Sequence, residues 1–147
     1  MSFAFGEYTE VDQIGPADGQ VNGADTAWIL ASSALVLFMT IPGLFLFYAG
    51  LVAKRNVLSL MMQCLTLTAC VTLAWLIFGY SVAFDTSGMT SEGINDHSID
   101  GSFDKVLLAG VNRDSVWGTI PEPLFFLFQL TFAIITPALM LGAFAER

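Results

Sequence analysis

Residues 26–53 decide the fold class of this 147-residue chain, because they contain no Asp, Glu, Lys or Arg. They read TAWILASSALVLFMTIPGLFLFYAGLVA. Further charge-free windows follow at 56–84 and 123–145, so the three windows hold 28, 29 and 23 residues. Each exceeds the ~20 residues that an α-helix needs to cross a bilayer core of roughly 30 Å. The sequence therefore predicts an all-α membrane protein with three transmembrane helices.

The charged residues between these windows predict an orientation. Of the 13 acidic residues, five precede the first span and seven lie from Asp85 to Glu122, whereas Lys54 and Arg55 connect the first two spans. Cytoplasmic connections favour Lys and Arg, which puts Lys54 and Arg55 inside the cell. We therefore predict the following segments: an extracellular acidic tail at 1–24, spans at about 26–53, 56–84 and 122–145, and an outer loop at 85–121.

The composition, with 55% hydrophobic and 12% charged residues, excludes several function classes. Soluble proteins carry about 25% charged residues. No basic patch is present to neutralise phosphates, so nucleic-acid binding is not expected. The sequence shows no catalytic constellation: no catalytic Ser–His pairing, no paired carboxylates within a span, no phosphate loop and no cluster of metal ligands. We therefore expect neither an enzyme nor a bound cofactor or metal.

Several local patterns predict details of the helices. Asp25 precedes the first charge-free window and is predicted to be the N-cap of the first span. Pro42 and Pro137 each remove a backbone donor inside a span, which predicts two kinks. Apolar residues recur at helical spacing between residues 102 and 111, which predicts a short amphipathic helix on the surface of the loop.

A stripe of aromatic and polar residues is the candidate site on the third span. Phe125, Gln129, Phe132 and Thr136 share one helical face, and Phe128 borders it. Such a stripe should face protein or a cavity. Spacing alone leaves two interpretations open: a packing stripe in which Gln129 bonds a neighbouring helix, or a surface along which a substrate passes. In the second span, Gln63 is interpreted as a helix-packing polar residue.

Eight motifs carry a resemblance to a known family. They are DTAW (25–28), ALVLFMTIPG (34–43), LFYAGL (46–51), KRNVLS (54–59), GYSVAF (79–84), FQLTF (128–132), ITPAL (135–139) and GAFAER (142–147). In their order and spacing they resemble the Amt/Rh ammonium transporter family, on the Amt side. Many relatives carry Gly-Gly where this chain has Ala49-Gly50, which exchanges one small residue for another.

The resemblance implies a fold and a function. The fold is an eleven-span, inverted-repeat transporter in the plasma membrane, with its N-terminus outside and three identical subunits. Phe128 and Phe132 would bind ammonium at an extracellular recruitment site and gate, and Gln129 would hold that helix in register. Ammonium or ammonia would then cross a hydrophobic pore. A cytoplasmic nitrogen-signalling protein or a fused signalling domain is an implied partner.

Two further expectations follow from the resemblance. Three spans do not complete the five-helix repeat of the family, and its pore histidines match nothing here, so we expect residues 1–147 to belong to a longer chain. The alternative function is an ammonium sensor, which would use the same fold to signal to a cytoplasmic domain.

Overall fold

Three long apolar helices dominate the computed structural model, which describes residues 21–85, 101 and 103–144. They are Gly23–Leu51, Val57–Phe84 and Glu122–Ala143, and each is long and apolar enough to cross a membrane. We call them the first, second and third span. The prediction of an all-α membrane protein with three transmembrane helices is confirmed. Most of the predicted acidic tail and the loop residues 86–100 lie outside the described residues.

The first span is not a uniform α-helix. Helix α1 (Gly23–Phe38) passes into a π-helical segment (Met39–Leu44) and then into α2 (Phe45–Leu51). Pro42 lies inside the π-helical segment and has no N–H to donate, so one α-helical hydrogen bond is missing there. The interruption that Pro42 predicts is therefore present, in the form of a wider helical turn.

The start of α1 differs from the prediction, because Asn22 and not Asp25 is the N-cap. The Asn22 side chain accepts a hydrogen bond from the Ala24 N–H at 2.9 Å. Asp25 lies in the first turn, where its Oδ2 accepts a bond from the Thr119 hydroxyl at 2.6 Å. The Asn22 N–H also donates to the Thr119 carbonyl at 2.8 Å. Contacts with Thr119, which the local sequence does not reveal, fix this helix start.

The second and third spans differ in regularity. The second consists of α3 (Val57–Ala74), a second π-helical segment (Trp75–Gly79) and α4 (Tyr80–Phe84). The third span is α5 (Glu122–Phe144), which continues as one α-helix through Pro137. Both prolines lack an N–H, but the helix type changes only around Pro42, and the segment around Pro137 stays α-helical.

The buried core lies where the first, second and third spans meet. Its members are apolar or aromatic: Leu44, Tyr48, Leu60, Cys64, Ile135 and Ala138. The Tyr48 hydroxyl donates to the Leu139 carbonyl at 2.7 Å, and the Tyr48 ring lies against Gly142, where a side chain would collide with it. This contact joins the first span to the third.

The loop approaches the second span through main-chain contacts. Gly101 packs against the carbonyl oxygens of Ser81, Val82 and Asp85, and its N–H donates to the Val82 carbonyl at 2.7 Å. A short hairpin of β1 (Val116–Trp117) and β2 (Ile120–Pro121) then leads into α5. The start of α1, the end of α4 and the start of α5 thus lie at one end of the helices, which we call the loop end.

The prediction of an amphipathic helix between residues 102 and 111 is wrong. Among the described residues of this segment, 103–111, the one helical segment is a 3-10 turn, Val106–Leu108, with positive φ at Leu107 and Leu108. The backbone N–H of Asp104 donates to the Asp85 carboxylate at 3.1 Å, and that of Lys105 donates to the Ser81 hydroxyl at 3.1 Å. Contacts with the second span therefore replace local helical bonding.

Candidate functional site

Phe128 and Phe132 form a pair of contacting rings on α5. Their centroids are 5.0 Å apart and their planes meet at 78°, an edge-to-face arrangement. One helical turn separates the two residues, so both side chains project from one side of the helix. Phe128 is half-buried, whereas 43% of the Phe132 surface is exposed. The pair can offer an aromatic ring face to a cation.

The two glutamines singled out in the sequence lie in different surroundings. Gln129 is half-buried next to Phe128 on α5, and Gln63 is exposed on α3. An exposed amide on a membrane span is expected to meet a neighbouring helix, because lipid offers it no hydrogen-bonding partner. The helix-packing role of both glutamines stays a prediction, and so does the role of Phe128 and Phe132 in substrate binding and gating.

The remainder of the stripe divides between two environments. Phe125 stacks on Trp117, with ring centroids 4.7 Å apart and an interplanar angle of 11°, so its end of the stripe packs against protein. Thr136 is exposed and donates its hydroxyl hydrogen to the Phe132 carbonyl at 2.9 Å. The stripe therefore begins inside the protein at the loop end and becomes exposed towards Phe132.

A groove between α1 and α5 has a volume of about 210 Å³. Its lining includes two buried hydroxyl residues, Ser33 and Thr131. Ser33 donates to the Ile29 carbonyl at 2.7 Å and Thr131 donates to the Phe128 carbonyl at 2.6 Å. Because each hydroxyl hydrogen is used within its own helix, the groove offers mainly apolar surface to whatever lies against it.

An ion pair at the loop end was not anticipated from the sequence. The Lys105 ammonium lies 2.7 Å from Oε1 of Glu122, and the Tyr80 hydroxyl donates to the same oxygen at 2.9 Å. The ammonium nitrogen is 6.0 Å from the centroid of the Tyr80 ring and 5.6 Å from that of Trp117. Glu122 is 5% exposed and Tyr80 is 1% exposed. A buried carboxylate is therefore paired with a lysine from the loop.

One sequence signal could have indicated this pair. Lys105 is one of two basic residues in the acidic segment from Asp85 to Glu122, and Glu122 directly precedes a charge-free span. A carboxylate at the edge of a bilayer core requires a partner, and Lys105 is a nearby candidate. Among the residues that the structure describes, no group of three or more His, Cys, Asp or Glu side chains is placed to hold a metal ion.

Comparison with known proteins relates the chain to one family. A profile of the Ammonium Transporter Family matches residues 27–147. An ammonium transporter of Mycobacterium bovis is 42% identical over 145 residues, covering 90% of this chain and 29% of the relative. An ammonium transporter of Aquifex aeolicus is 40% identical over 136 residues, covering 89% and 29%. Ammonium transporter 1 of Dictyostelium discoideum is 37% identical over 139 residues, covering 92% and 27%. The chain thus spans less than a third of the length of these relatives.

Proposed function

The chain belongs to the ammonium transporter family, and from that premise we propose that it forms part of a protein that conducts ammonium or ammonia across a membrane. The observation that carries the proposal is the pair of contacting rings, Phe128 and Phe132, on the third span. In this role Phe128 binds the arriving cation and Phe132 closes a hydrophobic pore behind it. The protein moves its substrate without transforming it.

The ring pair suits a cation that must be recruited and then stopped. The face of an aromatic ring attracts a cation by about 0.5–2 kcal/mol, depending on how far water is excluded. An edge-to-face pair keeps one ring face available while the second ring fills the space beyond it. Gln129 lies between the two residues in sequence and, in this proposal, fixes the rotation of α5 by bonding a neighbouring helix.

The proposed assembly follows from charge and family. We infer a plasma-membrane protein with its N-terminus outside, because Lys54 and Arg55 are exposed on the short connection between the first two spans. We also infer a homotrimer, with a cytoplasmic nitrogen-signalling protein or a fused signalling domain as a partner. The exposed apolar side chains on all three spans suit contact with lipid, further helices or neighbouring subunits.

Substitution of the two rings tests the function in the intact transporter that contains this chain. Phe128→Ala should weaken the apparent affinity for ammonium by roughly 2- to 30-fold, the range that a lost cation–ring contact allows. Phe132→Ala should abolish uptake or admit other cations, since it opens the proposed gate. The measurement is ammonium-evoked current at matched surface expression.

Phe78→Ala is the matched control. Phe78 is 51% exposed on the second span, close to the 43% of Phe132, so its loss removes a comparable lipid-facing or helix-facing ring. It should leave the current unchanged. Equal and mild effects of all three substitutions would refute the gate. Saturable ammonium binding without any current in the unaltered protein would instead favour the sensor.

A further inference from the structure

The side chain of Lys105 occupies a site built like a receptor for a primary ammonium ion. One charged acceptor, Oε1 of Glu122, lies 2.7 Å from the ammonium nitrogen. The rings of Tyr80 and Trp117 lie 6.0 Å and 5.6 Å from it. A carboxylate and aromatic faces are the groups that proteins use to bind organic ammonium ions.

Packing fixes the walls of this site independently of the lysine. Tyr80 is 1% exposed and contacts the ring of Phe126, with centroids 5.2 Å apart. Trp117 stacks on Phe125 at 4.7 Å. The Glu122 N–H donates to the Ser115 carbonyl at 2.9 Å, which holds the carboxylate-bearing residue at the start of α5. Removal of the lysine side chain should therefore leave the walls in place.

The backbone that carries Lys105 is also held without its ammonium group. The Lys105 N–H donates to the Ser81 hydroxyl and the Asp104 N–H donates to the Asp85 carboxylate, both at 3.1 Å. The Lys105 side chain is 26% exposed, so the site has an opening to the aqueous phase. A variant that keeps Cβ and lacks the rest of the side chain should thus expose an empty, accessible pocket with a negative charge inside.

We propose that Glu122, Tyr80 and Trp117 form a cation cage that Lys105 occupies, and that the cage binds a small primary alkylammonium ion when the lysine side chain is removed. The best fit is n-propylammonium, because Lys105→Ala removes Cγ, Cδ, Cε and Nζ, which together equal that ion. The inference does not depend on the proposed transport. Its consequence for the unaltered protein is that this cation site near the third span is closed to free ammonium.

The experiment measures the thermal unfolding of purified intact protein that carries Lys105→Ala, with added n-propylammonium chloride. The melting temperature should rise with concentration and saturate, whereas the unaltered protein should show no saturable rise. Neutral n-propanol and tetramethylammonium should not reproduce the effect, because the first lacks charge and the second lacks N–H donors. In the same background, Trp117→Leu should raise the half-saturating concentration by roughly 2- to 30-fold.

Arg113→Ala is the matched control, since Arg113 is an exposed cation of the same loop. It should show no response to n-propylammonium. The absence of a saturable response in Lys105→Ala, or an equal response in Arg113→Ala, would overturn the proposal.

If Lys105→Ala does not fold, a second measurement tests whether the Lys105 ammonium occupies the cage. In the unaltered protein, an amine-acylating reagent should label Lys105 at least about tenfold more slowly than the exposed Lys54, because the Lys105 ammonium must first give up its charged hydrogen bond to Glu122. Equal labelling rates for the two lysines would show that the cage is not occupied and would refute the proposal.

Discussion

Replacement of Gly142 by alanine should weaken the contact between the first and third spans. A Cβ atom at this position would lie 2.5 Å from Cε1, 3.0 Å from Cζ and 3.1 Å from the hydroxyl oxygen of Tyr48. The Tyr48 ring is 7% exposed, and its hydroxyl donates to the Leu139 carbonyl at 2.7 Å. The ring therefore cannot move aside without breaking this hydrogen bond and disturbing the core around it.

The expected magnitude combines three effects. Overpacking of a well-packed site costs about 1–3 kcal/mol. Loss or distortion of the Tyr48 hydrogen bond costs about 0.5–1.5 kcal/mol. Alanine is favoured over glycine inside a helix by roughly 0.5–1 kcal/mol, which offsets part of the loss. We expect Gly142→Ala to lower the free energy of unfolding by about 0.5–4 kcal/mol.

Two comparisons separate the collision from the change in helix propensity. Gly50 lies in α2, and a Cβ atom added there would meet no other atom within 4 Å, so Gly50→Ala should stabilise the protein by about 0.5–1 kcal/mol. In a Tyr48→Leu background the ring is absent, and Gly142→Ala should then be stabilising as well. The assay is reversible unfolding in mixed micelles with increasing SDS. An equal loss in both backgrounds, or no loss in the first, would refute the reasoning.

Two further predictions concern the packing of Gly101 and the orientation of the chain in the membrane. Gly101→Ala would place a Cβ atom 2.6–2.8 Å from the main-chain carbonyl oxygens of Ser81, Val82 and Asp85. We therefore expect the free energy of unfolding to fall by about 1–3 kcal/mol and the Lys105 amine to react faster with an acylating reagent. Wild-type values for both quantities would contradict this packing. The second prediction concerns orientation and uses a background without the two native cysteines. A cysteine that replaces Arg113 should react with an impermeant thiol reagent added outside intact cells, whereas a cysteine that replaces Lys54 should not. The reverse labelling pattern would invert the proposed topology.

The sequence predicts those parts of the fold that depend on chain length and local covalent chemistry. The three spans follow from charge-free windows longer than a bilayer core is thick. The interruption near Pro42 follows from a missing backbone donor. The π-helical segment Trp75–Gly79 was not predicted; within it the Trp75 ring packs on Gly79, where a Cβ atom would lie 2.9 Å from Cε3.

Tertiary contacts likewise explain what the sequence did not reveal at the loop end. The apolar spacing around Val106 favours a helix, yet the N–H of Lys105 bonds to Ser81, 24 residues earlier in the chain. Glu122 meets Lys105 across 17 residues and Tyr80 across 42. The aromatic pair on α5 was accessible from the sequence because one helical turn brings its two residues together. Contacts between residues that are far apart in the chain leave no such periodic pattern in the sequence.

The bonds between Thr119 and the start of α1 have a consequence for the order of biosynthesis. Asp25 and the Thr119 hydroxyl that binds it are 94 residues apart. At about 5–20 residues per second, the ribosome needs roughly 5–20 s to reach Thr119 after it has made Asp25. During that interval the first span is held in the bilayer by its hydrophobicity and can already pack against the second span, but its bonds to Thr119 are absent. Insertion and final docking of this span are thus separate events, and the speed of translation through the intervening codons sets the delay between them.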